Sequence, residues 1–399
     1  MISDILAQEV LRQQHEISLI PSENHPSLAV RQAVSSVFMG KYAEGYPGKR
    51  YYAGNRFADE LELQVQALAQ QVFHTDYLVN VQAHSGSPAN MAVYSALLQP
   101  GDTILGLKLD HGGHLTHGHG VSLTGKLWKA VHYQVQPDTE LVSLEEVAKL
   151  AREHQPKLII CGATAYPAQI DFAGFAAIAK EVGAYLLADI SHISGLVAAG
   201  VHPSPFGHAD VVTTTTHKVM RGPRGALIFA KPELMPAINK ALFPGMQGGP
   251  HLNTIAGIGV ALEEMLLPSY QEYAEQVVLM AKAMAARFTQ HGFKVLTGGT
   301  EVHQLLLDLR GQKILGKEAQ ELLESVGLIT NKNGIPFDPN PPTKPSGLRL
   351  GTPAIASRGM GVAEAEHLAD LIAETIGGAT DLTLIADQVR TLAARFPTP

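Results

Sequence analysis

Residues 211–226 read V-V-T-T-T-T-H-K-V-M-R-G-P-R-G-A, and this stretch determines how the rest of the chain is interpreted. Its β-branched run predicts a strand that ends in Lys218, and a turn separates this strand from a second apolar strand at 226–230. A lysine held there by packing, close to Arg221 and Arg224, can lose its proton near neutral pH and attack a carbonyl group. The alternative is a solvent-exposed charge, which is the more common case for a lysine that follows a strand.

The composition is that of a globular enzyme of two domains, with 399 residues of which 45% are hydrophobic and 17% are charged. We expect a cytoplasmic protein, because no apolar run is long enough for a membrane span and the first residues do not resemble a signal peptide. A net charge of −7 disfavours nucleic acid as the main partner. The single cysteine, Cys161, excludes an internal disulfide and any site built from several cysteines, and its apolar strand L-I-I-C-G predicts a buried, inert thiol.

Helical and strand patterns alternate through the first two thirds of the chain, which predicts a mainly parallel sheet. The strands are expected at 78–81, 103–107, 157–161 and 185–188, and the helices at 59–73, 91–98, 143–154 and 171–182. After residue 265 the pattern changes to a long helix at 270–290, strand-like segments at 294–296 and 304–309, and helices at 317–326, 362–376 and 381–394. We therefore predict a large α/β domain at 1–265, including an N-terminal arm, and a smaller α+β domain at 266–399.

Two of the predicted strands are followed by groups that can bind a ligand. Ser85, Gly86 and Ser87 lie between a strand and a helix, where hydroxyls and backbone N–H groups can meet a phosphate, although a plain turn explains them about as well. Asp189 follows another strand and lies at the carboxyl edge of the sheet, where ligands bind. From this stretch alone, a carboxylate that caps the next turn is an equal alternative for Asp189.

Three further segments combine reactive groups with glycine or aromatic residues. Residues 41–54 read K-Y-A-E-G-Y-P-G-K-R-Y-Y-A-G, so Glu44 lies among tyrosines and is a candidate acid or base. Four histidines occur within 110–120, but their spacing does not match a helical metal-binding pair, and we expect no metal. Arg349 lies in an apolar strand, where it can bind a carboxylate with both arms of its guanidinium or form an internal salt bridge.

Together these segments resemble the serine hydroxymethyltransferases, a family that uses pyridoxal 5′-phosphate. The matching motifs are T-T-T-T-H-K with R-G-P-R-G, the tyrosine-rich segment at 41–54, H-G-G-H-L-T-H-G at 111–118 and S-G-L-R-L-G-T-P at 346–353, and the resemblance covers residues 17–376. It implies pyridoxal-phosphate fold type I, like aspartate aminotransferase, with a large α/β domain of mainly parallel sheet and a small C-terminal α+β domain. It also implies a homodimer with shared active sites, and leaves dimer versus tetramer open.

The resemblance assigns roles to individual residues, none of which is a metal ligand. The cofactor contacts that it implies are Lys218, Ser85, Gly86, Ser87, His114, Thr164, Asp189, His192, Tyr42, Gly248 and Gly249. The catalytic residues that it implies are Lys218, Glu44, His114, Asp189, Thr215 and Tyr52. The substrate contacts that it implies are Ser22, Glu44, Tyr52, His192 and Arg349, with Leu109, Gly113, Leu115 and Asn333 near folate. Glu44 and the pair Gly248 and Gly249 would serve the active site of the neighbouring subunit.

The implied reaction converts L-serine and tetrahydrofolate reversibly into glycine and 5,10-methylenetetrahydrofolate. Pro21, Thr164 and Gly334 stand where the family usually has alanine, serine and threonine. These differences leave open a folate-independent aldolase or an α-methylserine hydroxymethyltransferase on the same scaffold. A non-catalytic binding protein is disfavoured, because such a protein has little use for a proton-handling carboxylate at Glu44.

Overall fold

The computed structural model describes residues 1–378 and 381–399. Its strands are β1 (Ile17–Ser18), β2 (Gly45–Tyr46), β3 (Lys49–Arg50), β4 (Leu78–Asn80), β5 (Thr103–Leu107), β6 (Lys129–Tyr133), β7 (Leu158–Gly162), β8 (Tyr185–Asp189), β9 (Val211–Thr215), β10 (Ala226–Ala230), β11 (Lys294–Val295), β12 (Gln304–Asp308), β13 (Leu328–Ile329), β14 (Asn331–Asn333) and β15 (Gly347–Gly351). Its α-helices are α1 (Ile2–His15), α2 (Leu28–Val34), α3 (Arg56–Val72), α4 (Gly86–Leu97), α5 (Leu123–Leu127), α6 (Leu144–His154), α7 (Phe172–Val182), α8 (Ser194–Ala198), α9 (Met235–Leu242), α10 (Leu252–Met265), α11 (Pro268–Gln290), α12 (Gly316–Ser325), α13 (Pro353–Ser357), α14 (Val362–Ile376) and α15 (Leu382–Arg395). None of the helices in these ranges is long and apolar enough to cross a membrane.

Seven strands form the central sheet in the order β4-β10-β9-β8-β7-β5-β6. The neighbouring strands run parallel except at β10, which is antiparallel to both β4 and β9. Every residue of β7, β9 and β10 is buried, because helices cover both faces of the sheet. Ile159 packs into the core on the α6 and α7 side, and the next residue, Ile160, packs on the α4 and α9 side. The predicted fold class is confirmed.

The C-terminal part of the chain has its own sheet and its own core. Its four strands are antiparallel, in the order β11-β12-β15-β14, and α11, α12, α14 and α15 supply most of the surrounding apolar side chains. The N-terminal strand β1 joins this part, because Ile17 pairs with Leu328 of β13. The domain boundary at residue 265 coincides with the end of α10 and stays a prediction.

Most predicted elements are present, with shifted ends. The helix expected at 91–98 begins at Gly86, because the chain turns into the helix directly after Ser85. Ser143 caps α6 by accepting a hydrogen bond from the N–H of Glu146. The Glu146 carboxylate lies 3.7 Å from Lys149 Nζ instead of returning to the cap. Helix α1 has no buried residue, so its apolar side chains are exposed in the single chain.

The position of Lys218 differs from the prediction, because β9 ends at Thr215 and the lysine lies in the turn that follows. The pairing of β9 with β10 stops at Thr215 and Ala226. Beyond it, the N–H of Gly222 donates to the carbonyl of Thr216 at 2.8 Å, and the Thr216 hydroxyl donates to the carbonyl of Pro223 at 2.6 Å. These bonds close the chain into a compact turn, which removes Lys218 from the strand ladder.

Candidate active site

A cavity of about 390 Å³ opens at the carboxyl ends of the parallel strands. This is the edge of an α/β sheet at which ligands bind. The side chains and backbone that line it come from both the large sheet and the C-terminal sheet. The lining residues are Ser22, Glu23, Ser85, Gly86, Ser87, Asn90, His114, His117, Ala163, Thr164, Asp189, Ser191, His192, Thr215, His217, Lys218, Arg224 and Arg349.

Hydrogen bonds to the backbone of its turn hold Lys218 in place. Its carbonyl accepts a hydrogen bond from Asn24 Nδ2 at 2.8 Å. The next carbonyl, that of Val219, accepts from the hydroxyls of Tyr270 at 3.1 Å and Tyr273 at 3.2 Å. The lysine side chain is therefore presented to the cavity from a backbone with little freedom to move.

Burial lowers the pKa of the Lys218 ammonium to about 8, and the positive charges of Arg349 and Arg224 add to this shift, while Asp189 opposes it. The sequence predicted Arg221 and Arg224 as the neighbouring cations. The prediction was wrong for Arg221, whose guanidinium lies 4.3 Å from the ring centre of Tyr273. The second cation near the lysine is Arg349 of β15. The sequence could not indicate this neighbour, because the two residues are far apart along the chain.

Asp189 ends β8 and lies at the centre of a buried hydrogen-bond network. Its Oδ2 accepts from Asn90 Nδ2 at 2.8 Å and lies 3.2 Å from His117 Nε2, and its Oδ1 accepts from the N–H of Ser191 at 3.1 Å. Burial favours the neutral acid, but these hydrogen bonds and the nearby histidines hold the pKa of the Asp189 carboxyl well below its usual range. Asp189 is therefore a carboxylate facing the cavity, rather than only the cap of a turn.

His114 lines the cavity as a neutral ring of defined orientation. Burial, together with the charge of His117, lowers the pKa of His114 to about 4. The N–H of Thr116 donates to His114 Nδ1 at 3.2 Å. Since Nδ1 accepts this bond, the proton of the neutral ring is on Nε2.

The start of α4 offers free hydrogen-bonding groups to the cavity. Among residues 1–378 and 381–399, the hydroxyls of Ser85 and Ser87 and the N–H groups of Gly86 and Ser87 have no hydrogen-bond partner. A Cβ on Gly86 would lie 2.8 Å from Thr215 Cγ2, so the close approach of these two segments requires glycine. The arrangement is that of an anion site at the N-terminus of a twelve-residue helix.

Arg349 lies in the middle of β15 with 7% of its surface exposed. Its Nη1 donates to the carbonyl of Thr164 at 2.9 Å, and its Nε donates to Asn331 Oδ1 at 3.2 Å. In the part of the chain that the structure describes, no Asp or Glu forms an ion pair with it, so the alternative of an internal salt bridge is wrong. Burial lowers the pKa of its guanidinium to about 10, which leaves a cation facing the cavity at neutral pH.

The remaining predicted cavity residues lie around these groups. Ser22 precedes the Glu23–Asn24 pair behind Lys218, and both Ser22 and Thr215 line the cavity. The hydroxyl and N–H of Thr215 both donate to Ser191, two residues after the end of β8 at Asp189. His192 Nδ1 lies 3.3 Å from His303 Nε2, and the rest of its ring faces the cavity.

The tyrosine-rich segment lies away from the cavity of its own chain. Glu44, Tyr42 and Tyr52 are not among the lining residues of the Lys218 cavity. Glu44 lies instead against the glycine loop, where a Cβ on Gly248 would be 3.4 Å from Glu44 Oε1 and one on Gly249 would be 3.6 Å from Glu44 Cγ. Tyr42 and Tyr52 pack edge to face with ring centres 5.1 Å apart and stay largely exposed.

The four residues predicted near folate also lie outside the cavity lining. Leu109 and Leu115 are both exposed. Gly113 is buried, and a Cβ there would collide with the backbone of Leu107. Asn333 ends β14, and its Nδ2 donates to the carbonyl of Gly334 at 2.6 Å.

Several residues that organise the site were not singled out from the sequence. Asn24, Asn90, His117, Tyr273 and His303 position Lys218, Asp189 or His192 through the hydrogen bonds described above. A signal existed for His117, which stands in the four-histidine segment, and for Asn24, which follows Ser22 and Glu23. Within the described ranges no group of three or more His, Cys, Asp or Glu could hold a metal ion.

Comparison with known proteins shows which sequences this chain is similar to. The sequence model of a family described as serine hydroxymethyltransferase matches residues 1–372. A serine hydroxymethyltransferase of Sorangium cellulosum (strain So ce56) is 51% identical over 100% of this chain and 95% of that protein. One of Coprothermobacter proteolyticus is 54% identical over 94% of this chain and 90% of that protein, and one of Myxococcus xanthus is 50% identical over 99% and 95%.

Proposed function

We propose that this chain, which belongs to the serine hydroxymethyltransferase family, carries out its reaction in the cavity around Lys218. The reaction is the reversible conversion of L-serine and tetrahydrofolate into glycine and 5,10-methylenetetrahydrofolate. The observation that carries the location is that Lys218, Asp189 and Arg349 face one cavity although they come from three different strands or turns.

The groups around the cavity fit pyridoxal 5′-phosphate. That cofactor, when bound, supplies an electron sink for the bonds broken at the amino-acid α-carbon. Lys218 would hold it covalently, with a pKa near 8 that leaves a usable fraction of free amine at neutral pH. Ser85, Gly86 and Ser87 would bind its phosphate, and the Asp189 carboxylate would keep its ring nitrogen protonated.

The other lining residues would complete the cofactor site. The neutral ring of His114 would stack on the flat cofactor, and Thr164, Thr215 and His192 would contact its edge. From the partner subunit, we propose that Tyr42, Gly248 and Gly249 close the phosphate end. This is consistent with the absence of these three residues from the lining of the cavity in their own chain.

We assign the substrate carboxylate to Arg349. Its Nη2 makes no hydrogen bond with the described residues, while Nη1 and Nε fix the plane of the guanidinium. Ser22 and His192 line the same cavity and would contact the amino acid beside it. Glu44 of the partner subunit would hold and move the proton of the substrate hydroxyl, with Tyr52 of that subunit next to it. The exposed Leu109 and Leu115, with Gly113 and Asn333, would contact folate.

A visible absorption spectrum of the purified protein tests the proposal. With added pyridoxal phosphate the protein is expected to turn yellow, and with glycine it should gain a strong band at longer wavelength only when tetrahydrofolate is also present. A yellow protein that is indifferent to folate would instead indicate the folate-independent aldolase. A colourless protein would indicate the non-catalytic relative.

Two lysine variants identify the attachment site. Lys218→Ala is expected to abolish turnover and covalent attachment of the cofactor. Lys231→Ala is the matched control, because Lys231 forms a surface ion pair with Asp210 at 2.6 Å and lies outside the cavity. Full turnover in Lys218→Ala would contradict the assignment.

Mixing two inactive variants tests the shared site. If Glu44 serves the neighbouring chain, a dimer of one Lys218→Ala chain and one Glu44→Gln chain contains one intact site. An equimolar mixture that exchanges subunits should then recover about a quarter of the original activity. If Glu44 served its own chain, the mixture would stay inactive.

We also propose a cytoplasmic location for the protein. This agrees with the single cysteine, Cys161, which is buried and forms no disulfide.

A further inference from the structure

His192 and His303 form a buried pair at the junction of the two sheets. His303 precedes β12 and is completely buried, and 3% of His192 is exposed. His192 Nδ1 and His303 Nε2 are 3.3 Å apart, with the ring planes inclined by 26°. The two nitrogens are close enough to form a hydrogen bond, so one of them carries a proton and donates it, and the other is the acceptor.

Both rings are neutral at physiological pH. Burial lowers the pKa of His303 to about 3, and the charges of Arg349 and Lys218 contribute to this shift. Burial lowers the pKa of His192 as well, again with contributions from Lys218 and Arg349. A proton added to either ring would place a third positive charge beside these two cations. The pair therefore has one proton per ring, which leaves two possible arrangements.

The far side of His303 distinguishes these arrangements. His303 Nδ1 is buried and has no hydrogen-bond partner among residues 1–378 and 381–399. If His192 donated to His303, the His303 proton would have to sit on Nδ1, as a buried N–H without an acceptor. If His303 donates from Nε2, its Nδ1 carries only a lone pair. Orphaned buried N–H groups are rarer than unsatisfied buried acceptors, so the second arrangement is favoured.

The donor role of His303 determines what His192 offers to the cavity. With Nδ1 accepting from His303, the single proton of His192 must be on Nε2. His192 Nε2 makes no hydrogen bond within the described part of the chain, and His192 lines the cavity together with Arg349. An N–H donor beside a guanidinium is an arrangement that binds an anionic oxygen.

We propose that His303 is a positioning residue that holds His192 as the Nε2–H tautomer, so that His192 donates a hydrogen bond to a carboxylate oxygen of the amino-acid substrate bound by Arg349. The inference rests on the proposed function for the identity of that carboxylate. The tautomer itself follows from the contacts of the two histidines. His303, which precedes β12 of the C-terminal sheet, thereby acts on the substrate only through His192, which follows β8 of the large sheet.

Neutron diffraction from crystals of the holoenzyme exchanged into D₂O tests the tautomer directly. Deuterium is expected on Nε2 of both histidines and absent from both Nδ1 atoms. Deuterium on His192 Nδ1 or on His303 Nδ1 would overturn the proposal. The map does not depend on turnover, so an inactive protein with deuterium on His192 Nε2 would refute the proposed function and leave the tautomer assignment standing.

Variants at His303 test the consequence for binding. His303→Leu removes the donor and should raise KM for serine by roughly threefold to tenfold with a smaller change in kcat, because the His192 ring is no longer held. His303→Gln keeps an N–H donor of similar reach and should restore most of the affinity. His202→Leu is the control for a lost buried histidine, since His202 bonds only to Ile170 and Pro203. An unchanged KM in a folded His303→Leu protein would contradict the positioning role. If that variant fails to fold, the neutron map of the unmodified protein decides between the two arrangements.

Discussion

Asn24 Nδ2 donates a hydrogen bond to the backbone carbonyl of Lys218, with the nitrogen and the oxygen 2.8 Å apart. The same amide nitrogen lies 2.8 Å from the hydroxyl of Tyr273, and Asn24 Oδ1 accepts from the hydroxyl of Ser357 at 2.6 Å. One side chain thus links the N-terminal segment, the lysine turn, α11 and α13. The position of the lysine in the cavity depends on elements from both ends of the chain.

Replacement of Asn24 by alanine should loosen the lysine turn. The carbonyl of Lys218 would lose one of its two donors and keep only the N–H of Arg221 at 3.1 Å, which costs about 0.5–1.5 kcal/mol in the free energy of unfolding. We also expect cofactor-free Asn24→Ala protein to bind pyridoxal phosphate covalently at a lower rate, because the amine is no longer held. Ser357→Ala is the matched control, since it removes a bond to Asn24 but leaves the bond from Asn24 to the Lys218 carbonyl in place. Equal rates in both variants would show that the Asn24 amide does not position the lysine.

The lowered pKa of Lys218 predicts a specific pH dependence of stability in the cofactor-free protein. In the folded chain this pKa is about 8, against an ordinary value of 10.5. Between these two pH values the unfolded chain binds more protons, so the contribution of Lys218 to the free energy of unfolding rises with pH. Lys218→Met lacks the buried charge and should be more stable than the parent protein below pH 8. Its advantage, measured by denaturant unfolding, should shrink as the pH approaches 10.5; an advantage that does not change with pH would contradict the shift.

Two buried arginines of the C-terminal part should respond differently to the same substitution. Arg349→Lys removes the forked guanidinium from the cavity and should raise KM for serine by about tenfold to a hundredfold. Arg358 instead donates to the carbonyls of Phe396, Glu16 and Ala393 at 2.6 to 2.8 Å. Arg358→Lys should therefore lower the melting temperature and leave KM nearly unchanged. The role of Arg349 would be refuted if its KM effect were no larger than that of Arg358→Lys.

A methyl group on Gly86 should close the anion site at the start of α4. In Gly86→Ala the new Cβ would lie 2.8 Å from Thr215 Cγ2, and relief of this contact would move the helix start. We expect pyridoxal phosphate to bind about tenfold more weakly, as measured by equilibrium titration. The double variant Gly86→Ala with Thr215→Ser lacks the colliding methyl and should recover part of the affinity. If the double variant bound no better than the sum of the single effects predicts, the collision would not be the cause.

The residues facing the cavity could be predicted where each one stands in a short, distinctive segment. Lys218, Asp189 and the Ser85–Ser87 turn each follow a strand that is recognisable from its own apolar run, and such strands deliver their ends to one edge of a parallel sheet. The same reasoning predicted the alternating strands and helices. It misplaced the end of β9, because the hydrogen bonds that close the lysine turn involve Thr216 and Pro223 and leave no trace in the apolar pattern.

The supporting residues could not be predicted in the same way, because their partners are far away along the chain. Asn90 reaches Asp189, and His303 reaches His192, only after the sheets have formed and packed. An asparagine in a helix and a histidine before a strand are ordinary residues until their neighbours are known. Arg349 likewise could not be predicted as the second cation beside Lys218, because the two residues are far apart in the sequence.

The pairing of β1 with β13 has a consequence for synthesis on the ribosome. Ile17 finds its partner, Leu328, only after about 310 further residues have been made, which takes roughly 15 to 60 s at ordinary translation rates. Until then the segment at 19–24 has no sheet to anchor it, and the carbonyl of Leu19 lacks its partner, the N–H of Gly351. A nascent chain can thus complete the large sheet while the wall behind Lys218 is still missing. The reactive amine is enclosed only when nearly all of the protein has emerged.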